Sequence, residues 1–153
     1  VALWVYPTDL SQIGAESRRY WLYRRIDANN GFQVVHRPDD ANQVHVIVIE
    51  GGTTTGKRTA AVTPTLNAWN LIIFTYDPAT NTLTTYFNGT AFSTSSGDAF
   101  THAYTADANM YGAGLPVLPD KRFTGYMDNF VFWTGKILNS TEVTNMWTRG
   151  TIV

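Results

Sequence analysis

Short runs of β-forming residues, separated by turn-forming residues, constrain the fold of this chain more than any other feature of its sequence. The runs recur about every 10 to 15 residues between Gly, Pro, Asn and Asp, a spacing typical of sandwiches and barrels. Helical periodicity is nearly absent. The sequence therefore predicts an all-β fold whose antiparallel strands pair with their neighbours along the chain. The predicted strands lie near residues 2–6, 20–26, 32–37, 43–50, 58–62, 69–76, 82–88, 108–112 and 122–134.

One short helix is predicted near the end of the chain, from the pattern L-N-S-T-E-V. Asn139 would be the N-cap residue, and Glu142 would reach back from the third helical position, which together form a capping box. Leu138 and Val143 would add the apolar contact that often accompanies such a cap. Trp147 would then pack the helix against the sandwich.

Length and charge narrow the class of protein further. A chain of 153 residues fits one domain with a sizeable core. Its formal net charge of −1 disfavours recognition of nucleic acid or an acidic membrane by charge, so we expect the partner to be selected by shape. The chain contains no cysteine, which excludes disulfides and thiolate catalysis, and it has no apolar stretch of the roughly 20 residues that a membrane helix needs.

Three segments carry the patterns of one known family. Residues 69–90, WNLIIFTYDPATNTLTTYFNGT, resemble the hairpin W-x-h-h-x-x-x-Y-D … L-x-x-Y-x-N-G (h, apolar) of laminin G-like jelly rolls. Residues 123–143, FTGYMDNFVFWTGKILNSTEV, resemble the family strand F-x-G-x-h-D-x-h-x-h followed by L-x-x-x-E-h. The opening LWVYP at residues 3–7 resembles its early strand W-h-x-P. The segments occur in the family order, so the chain resembles a laminin G-like, concanavalin A-like lectin domain.

The resemblance implies a fold and a class of function. The fold would be one jelly-roll domain over residues 1–153, an antiparallel two-sheet sandwich with one short C-terminal helix. The function would be that of a non-catalytic recognition or adhesion module, which binds carbohydrate or a protein partner on an extracellular, cell or virion surface. An architectural subunit of a virus or phage, acting through packing between subunits, is the alternative, because fold alone does not decide function.

Two departures from the family pattern affect the expected partner. The family usually has a further strand before the W-h-x-P segment, and one extra residue lies between Trp133 and Leu138. The chain is therefore expected to lack a first strand or to be cut from a longer protein. Without that strand, Val1 to Tyr6 would be an unpaired sheet edge, which favours a homo-oligomer or a strand-completing partner chain.

Two patterns that would indicate an enzyme are incomplete. Hydrolases of the wider superfamily carry a strand E-x-D-x-x-E, whose carboxylates act as acid and nucleophile. The only glutamates are Glu16, Glu50 and Glu142, and none belongs to such a triplet, so a glycoside hydrolase is a distant third reading. The loop GGTTTGK resembles a phosphate-binding loop, but Arg58 follows it where Ser or Thr is needed. We therefore predict no catalytic residues.

The segment RRYWLYRR, residues 18–25, is the predicted ligand-binding surface. With a period of two, Arg19, Trp21, Tyr23 and Arg25 would share one face of a strand. Aromatic rings stack on sugar rings and guanidinium groups bind hydroxyls, carboxylates or sulfates, so an exposed face of this kind could bind a glycan. It could also bind single-stranded nucleic acid. A purely structural strand, with arginines beside buried aromatic rings, is the other reading.

Asp128, in the pattern G-Y-M-D-N, is the candidate metal ligand. Many laminin G-like relatives bind one calcium ion near this motif, so the resemblance implies a possible structural Ca²⁺. Calcium takes six to eight oxygen ligands, and the sequence names one of them. An aspartate that accepts a hydrogen bond from a nearby turn is the alternative.

Overall fold

The computed structural model describes two β-sheets and one helix. It covers residues 1–11, 19–25, 31–38, 40–49, 62–77, 79–80, 82–96, 110–112 and 122–150. The strands are β1 Ala2–Pro7, β2 Arg19–Arg25, β3 Gly31–Arg37, β4 Gln43–Ile49, β5 Asn70–Asp77, β6 Thr82–Phe87, β7 Thr90–Ser96, β8 Met110–Gly112 and β9 Gly125–Val131, and the helix α1 is Ser140–Arg149.

The strands form a five-stranded sheet in the order β7-β6-β5-β1-β9 and a four-stranded sheet in the order β4-β3-β2-β8. Every pairing between these named strands is antiparallel. The predicted all-β sandwich with one short helix is therefore confirmed, and the arrangement is that of a jelly roll. The predicted strand at 58–62 lies outside the described residues except for Val62, which forms a single bridge to Val44.

The main core lies between the two sheets, and a second cluster lies between the five-stranded sheet and α1. In β1, Leu3 and Val5 belong to the main core, whereas Ala2 and Trp4 belong to the cluster under the helix. Side chains alternate between the two faces of a strand, so both faces of β1 are covered. The uninterrupted apolar run of β5, residues 71–74, divides in the same way, as a strand covered on both faces should.

The predicted capping box is confirmed. The side chain of Asn139 accepts the Glu142 N–H at 3.0 Å, and the Glu142 carboxylate accepts the Asn139 N–H at 2.9 Å. Gly150 ends the helix in the left-handed conformation, which glycine adopts without strain. The indole of Trp147 stacks on that of Trp4, with ring centroids 5.4 Å apart, so α1 is held over the outer face of the five-stranded sheet.

The strand β7 is not among the predicted strands, although the turn that produces it is visible in the sequence. Asn88 and Gly89 both have positive φ, 48° and 83°, and join β6 to β7 by a two-residue hairpin loop. Asn88 also accepts the Leu71 N–H at 2.8 Å, which ties this loop to β5. Thr90–Ser96 is rich in Ser and Thr and poor in apolar residues, so it lacks the pattern of a half-buried strand.

The expected unpaired edge at Val1 to Tyr6 is wrong. β1 lies inside the five-stranded sheet, between β5 and β9. Trp4 pairs with Leu71 on one side and with Asp128 on the other. The expectation failed because the pairing of β1 with β9 joins residues more than a hundred positions apart, and no local pattern shows it. Within the part of the chain that the structure describes, the edges of this sheet are β7 and β9.

Candidate functional site

An open cleft of about 500 Å³ lies between the two sheets, beside the C-terminal end of β5. Phe32 of β3 contributes to it from the four-stranded sheet, and Phe74 of β5 and Leu83 of β6 contribute from the five-stranded sheet. The segment that connects β9 to α1 forms the remaining wall. The described lining residues are Val1, Phe32, Phe74, Thr75, Tyr76, Asp77, Leu83, Phe132, Trp133, Thr134, Gly135, Lys136 and Ile137.

Aromatic rings form one wall of the cleft and hold each other in place. Phe32 packs edge-to-face on Phe74, with centroids 5.3 Å apart, and lies nearly parallel to Phe132 at 6.5 Å. The guanidinium carbon of Arg24 lies 5.3 Å from the centroid of the Phe132 ring, a cation–π contact. Phe132 is nevertheless 38% exposed, so part of its surface remains available to a ligand.

A fixed carboxylate stands on the rim of the cleft. Asp77 accepts the Thr80 hydroxyl at 2.8 Å and the Ala79 N–H at 2.9 Å, one through each oxygen. These hydrogen bonds hold the pKa of Asp77 below its ordinary value, that from Thr80 contributing most. The carboxylate therefore stays ionised at neutral pH, and its position is set by the turn that ends β5.

A fixed ammonium group stands on the same cleft, and the helix cap positions it. Lys136 Nζ lies 3.0 Å from a Glu142 carboxylate oxygen. The Asn139 N–H, followed by Lys136, lowers the pKa of Glu142, so this carboxylate also stays ionised. The capping box of α1 thus orients a cation at the edge of the cleft.

The arrangement can bind a small ligand. Its volume falls within the range of about 300 to 1,000 Å³ that is usual for ligand pockets, and apolar walls with a few polar groups are usual as well. Asp77 is the one acidic side chain among the described lining residues.

The expectation that Arg19, Trp21, Tyr23 and Arg25 share one exposed face is wrong. A β-bulge interrupts β2, because Tyr20 pairs with Val35 while Leu22 pairs with Val34. Trp21 is the extra residue, and it shares the main core with Leu22. Its exposed fraction is 0%, and its ring packs against Phe123 at 5.2 Å.

Arg19 is also unavailable to a ligand, since it is 2% exposed and its terminal guanidinium nitrogens belong to a structural cluster. Its guanidinium donates to an Asp9 carboxylate oxygen at 2.9 Å, to the Ser11 carbonyl at 2.7 Å and to the Thr124 hydroxyl at 3.0 Å. Tyr23 is half-buried and packs on Tyr20, while the side chain of Arg25 lies outside the described residues. A ligand-binding role for these two residues stays a prediction.

Asp128 has a local role in β9. Its carboxylate accepts the N–H of Asn129 at 2.7 Å, and Asn129 has a φ of 49° at the irregular pairing with β1. Across the residues that the structure describes, no group of three or more His, Asp or Glu side chains is placed to hold a metal ion. The calcium site at Asp128 stays a prediction.

The sequence did not predict the cleft, but two of its features lie in segments that form the cleft. The predicted last strand ran to residue 134, whereas β9 ends at Val131 and residues 132–137 form the cleft wall. The extra residue between Trp133 and Leu138 was the available signal, because an insertion after a strand changes the loop that follows. Residues 77–80 gave a second signal, since Asp followed by Pro favours a turn.

Comparison with known proteins identifies relatives of the fold. Residues 1–144 match a family model, Laminin_G_3, described as the concanavalin A-like lectin/glucanases superfamily. No curated protein matches the sequence. A heptameric SAP-like pentraxin from Limulus polyphemus has a similar structure, with a TM-score of 0.70 and 12% identity over 99% of this chain and 70% of the pentraxin chain.

The receptor-binding domain of botulinum neurotoxin type G is similar as well. Its TM-score is 0.65 at 14% identity, and the alignment covers 97% of this chain but 37% of the neurotoxin chain. At these identities the likeness shows the fold alone. No helix in the described part of the chain is long and apolar enough to cross a membrane.

Proposed function

Because the chain belongs to the concanavalin A-like lectin/glucanase superfamily, we propose that it is a non-catalytic recognition domain whose cleft binds a sugar residue of a glycan. We place it on an extracellular or particle surface, where laminin G-like domains are typically found. A non-enzymatic binding module is also the role that pentraxin and receptor-binding neighbours of this fold suggest in general terms.

The composition of the cleft carries the proposal. A sugar ring has apolar C–H faces and a rim of hydroxyl groups, so it needs aromatic surface and hydrogen-bonding groups together. Phe132 and Trp133 provide aromatic surface, while Asp77 and Lys136 provide an ionised acceptor and an ionised donor. Charge-assisted hydrogen bonds are about twice as strong as neutral ones, which favours a polyhydroxylated ligand over an apolar one.

Asp77 is the one acidic residue in the described lining, which supports recognition rather than hydrolysis. Glycosidases place two carboxyl groups on either side of the scissile bond, one of them with a raised pKa to act as the acid. The pKa of Asp77 is lowered instead, and both of its oxygens accept hydrogen bonds. An acid of this kind holds its proton too weakly to protonate a leaving group near neutral pH.

A glycan array tests the proposal, run once with calcium and once with a chelator. We expect binding of the wild-type chain to at least one glycan and a loss of about tenfold in Phe132→Ala and in Asp77→Asn, which remove a stacking surface and an ionic acceptor. Leu66→Ala, at an exposed apolar residue outside the cleft, is the matched control and should bind normally. Loss of binding with chelator would support the calcium prediction at Asp128.

Failure to bind any glycan on the array would overturn carbohydrate recognition. The same failure, together with stable self-association in light scattering, would favour the second candidate, an architectural subunit. One observation favours this candidate specifically, namely that the structurally similar Limulus pentraxin is heptameric. A protein partner would instead be indicated by a monomeric chain that fails on the array but whose cleft variants lose adhesion to cells.

A further inference from the structure

A row of three aromatic side chains crosses the outer face of the five-stranded sheet, next to the part that α1 covers. Tyr6 lies in the middle, on β1. Trp69, immediately before β5, packs edge-to-face on Tyr6 with centroids 5.5 Å apart, and Tyr126 on β9 does the same from the other side at 5.9 Å. We call these residues the aromatic row. It is separate from the cleft, since none of the three lines it.

The register of the sheet explains why the row forms. Tyr6 pairs with Tyr126, and the neighbouring pair Val5 with Asn70 brings Trp69 alongside Tyr6. Side chains two residues apart on a strand share a face, so Tyr6 follows Trp4 on the outer face. Neighbouring strands lie about 4.8 Å apart, so three adjacent strands place the three rings in a line roughly perpendicular to the strands.

The row is exposed, and hydrogen bonds fix the backbone turn at one of its ends. Tyr126 is 65% exposed and Trp69 42%. The buried side chain of Asn70 bonds to the backbone of Thr65 and Ala68 at 2.8 to 3.0 Å, which fixes the turn that presents Trp69. The N–H of Asn67 donates to the Pro7 carbonyl at 2.8 Å and ties this turn to β1.

Gly125 fixes the other end of the row. Its φ is 148°, and a Cβ added there would overlap the backbone carbonyl of Tyr6 and the ring of Phe123. Only glycine therefore lets β9 approach β1 this closely at the position next to Tyr126. Pre-ordered aromatic side chains lose little conformational entropy when a ligand binds, which favours a binding role.

We propose that the aromatic row is a second binding surface, on which Trp69 and Tyr126, at its two ends, contact the sugar rings of a neutral polysaccharide chain lying across β5, β1 and β9. Tryptophan and tyrosine combine an apolar ring with a polar N–H or O–H, as a sugar ring with its hydroxyl rim requires. The row itself contains no charged side chain, and Asp128, exposed beside it on β9, disfavours acidic ligands. Nucleic acids and acidic glycans need cationic side chains around the stacking rings, so a neutral chain fits best.

Affinity electrophoresis of the whole chain tests the inference. The gels contain a soluble neutral polysaccharide, in turn a mixed-linkage β-glucan, a xylan and a dextran, and cellulose and chitin pull-downs cover insoluble chains. We expect at least one neutral polysaccharide to retain the wild-type chain. Trp69→Ala and Tyr126→Ala should each weaken retention roughly tenfold, because each removes a stacking contact. Tyr126→Phe keeps the ring and should change retention less than about twofold.

The controls separate this surface from the cleft and from the fold. Phe130→Ala alters another exposed aromatic residue on β9, outside the row, and should leave retention unchanged. Phe132→Ala should weaken binding on the glycan array about tenfold while leaving retention in the gel intact, so that either proposal can fail without the other. Tyr126 is mostly exposed, so its alanine variant tests the inference even if Trp69→Ala unfolds.

Two outcomes would overturn the inference. One is that no neutral polysaccharide retains the wild-type chain, or that both row variants are retained as strongly as wild type. The other is that wild-type chain forms a dimer by sedimentation and Trp69→Ala converts it to a monomer, which would make this face an interface between two copies. Retention by an acidic polysaccharide such as alginate, but by none of the neutral ones, would be a case of the first outcome.

Discussion

Two groups of aromatic residues, similar in chemistry, have opposite environments in this molecule. In β2, Trp21 is completely buried and Tyr20 is 8% exposed. In the aromatic row, Trp69 is 42% exposed and Tyr126 is 65% exposed. The sequence predicts the binding surface on β2, with Trp21 and Tyr23 between arginines, whereas the structure makes Trp21 part of the core and leaves the second group open. Residue type therefore does not distinguish a stacking platform from a packing strand; position in the sheet does.

The largest effect that can test this difference is expected at Trp21. Its ring packs on Phe123 and lies 5.8 Å from His36, so Trp21→Ala would leave a large cavity between the sheets. We expect a loss of about 3 to 5 kcal/mol in the free energy of unfolding, measured by denaturant titration. Trp21→Phe, the milder variant, should lose less. A loss below about 1 kcal/mol would mean that Trp21 is not a core residue, which would restore β2 as a binding candidate.

Acid should destabilise the fold through His36, which lies on β3 and pairs with Arg19 of β2. Burial, with a smaller contribution from the charge of Arg19, lowers the pKa of His36 to about 4, while a histidine in the unfolded chain has a pKa of about 6.5. Between these values the unfolded chain binds the proton and the folded chain does not, so stability falls as the pH is lowered from about 6.5 to 4 and does not depend on His36 above that window.

Unfolding free energies measured at pH 7 and pH 4.5 check this expectation. His36→Gln removes one titrating group and should make the fall shallower over the same range. The remaining fall comes from the amino group of Val1, whose pKa burial lowers to about 5. Tyr126→Ala should keep the wild-type slope. Asp9 does not interfere, because the Ser11 and Arg19 hydrogen bonds lower its pKa to about 2, and its contribution is lost only below about pH 4. A wild-type profile with no fall below pH 6.5 would contradict the buried state of His36.

A smaller effect is expected where α1 borders the aromatic row. Asn139→Ala removes the N-cap side chain, which accepts the Glu142 N–H, and should cost about 1 kcal/mol, or roughly 2 to 4 °C in melting temperature for a domain of this size. Thr141→Ala, at an exposed neighbouring position of the same helical turn, is the control. Retention by polysaccharide should not change in either variant. If it falls in Asn139→Ala, the row depends on the helix beside it.

The parts of the fold that sequence patterns predicted are those determined by local interactions. The capping box at Asn139 and Glu142 depends on residues three apart, and it is confirmed at both hydrogen bonds. The apolar run of β5 predicted a strand covered on both faces because burial on two sides leaves no polar alternation. These signals need no knowledge of what lies next to the strand.

The parts that could not be predicted depend on pairings between distant segments. The bulge at Trp21 reverses the faces of β2, and nothing in RRYWLYRR marks where an extra residue will be accommodated. The aromatic row combines Tyr6, Trp69 and Tyr126, which come together only because β1 lies between β5 and β9. A one-residue change in register would move each of these side chains to the other face of the sheet. The proposed binding surfaces are therefore properties of the topology.

The smallest effect is expected at Tyr126, and it gives the most direct test of the comparison. Tyr126→Ala and Tyr20→Ala make the same chemical change in the two regions. Tyr20 lies in a buried cluster with Val35, so its removal should cost about 3 kcal/mol. Tyr126 gives up little more than its edge contact with Tyr6, and its removal should cost less than about 1 kcal/mol. Denaturant unfolding of the two variants side by side measures both values. Equal losses would show that Tyr126 contributes to stability as a buried side chain does. Stability alone would then explain the row, and the row would no longer support a bound ligand.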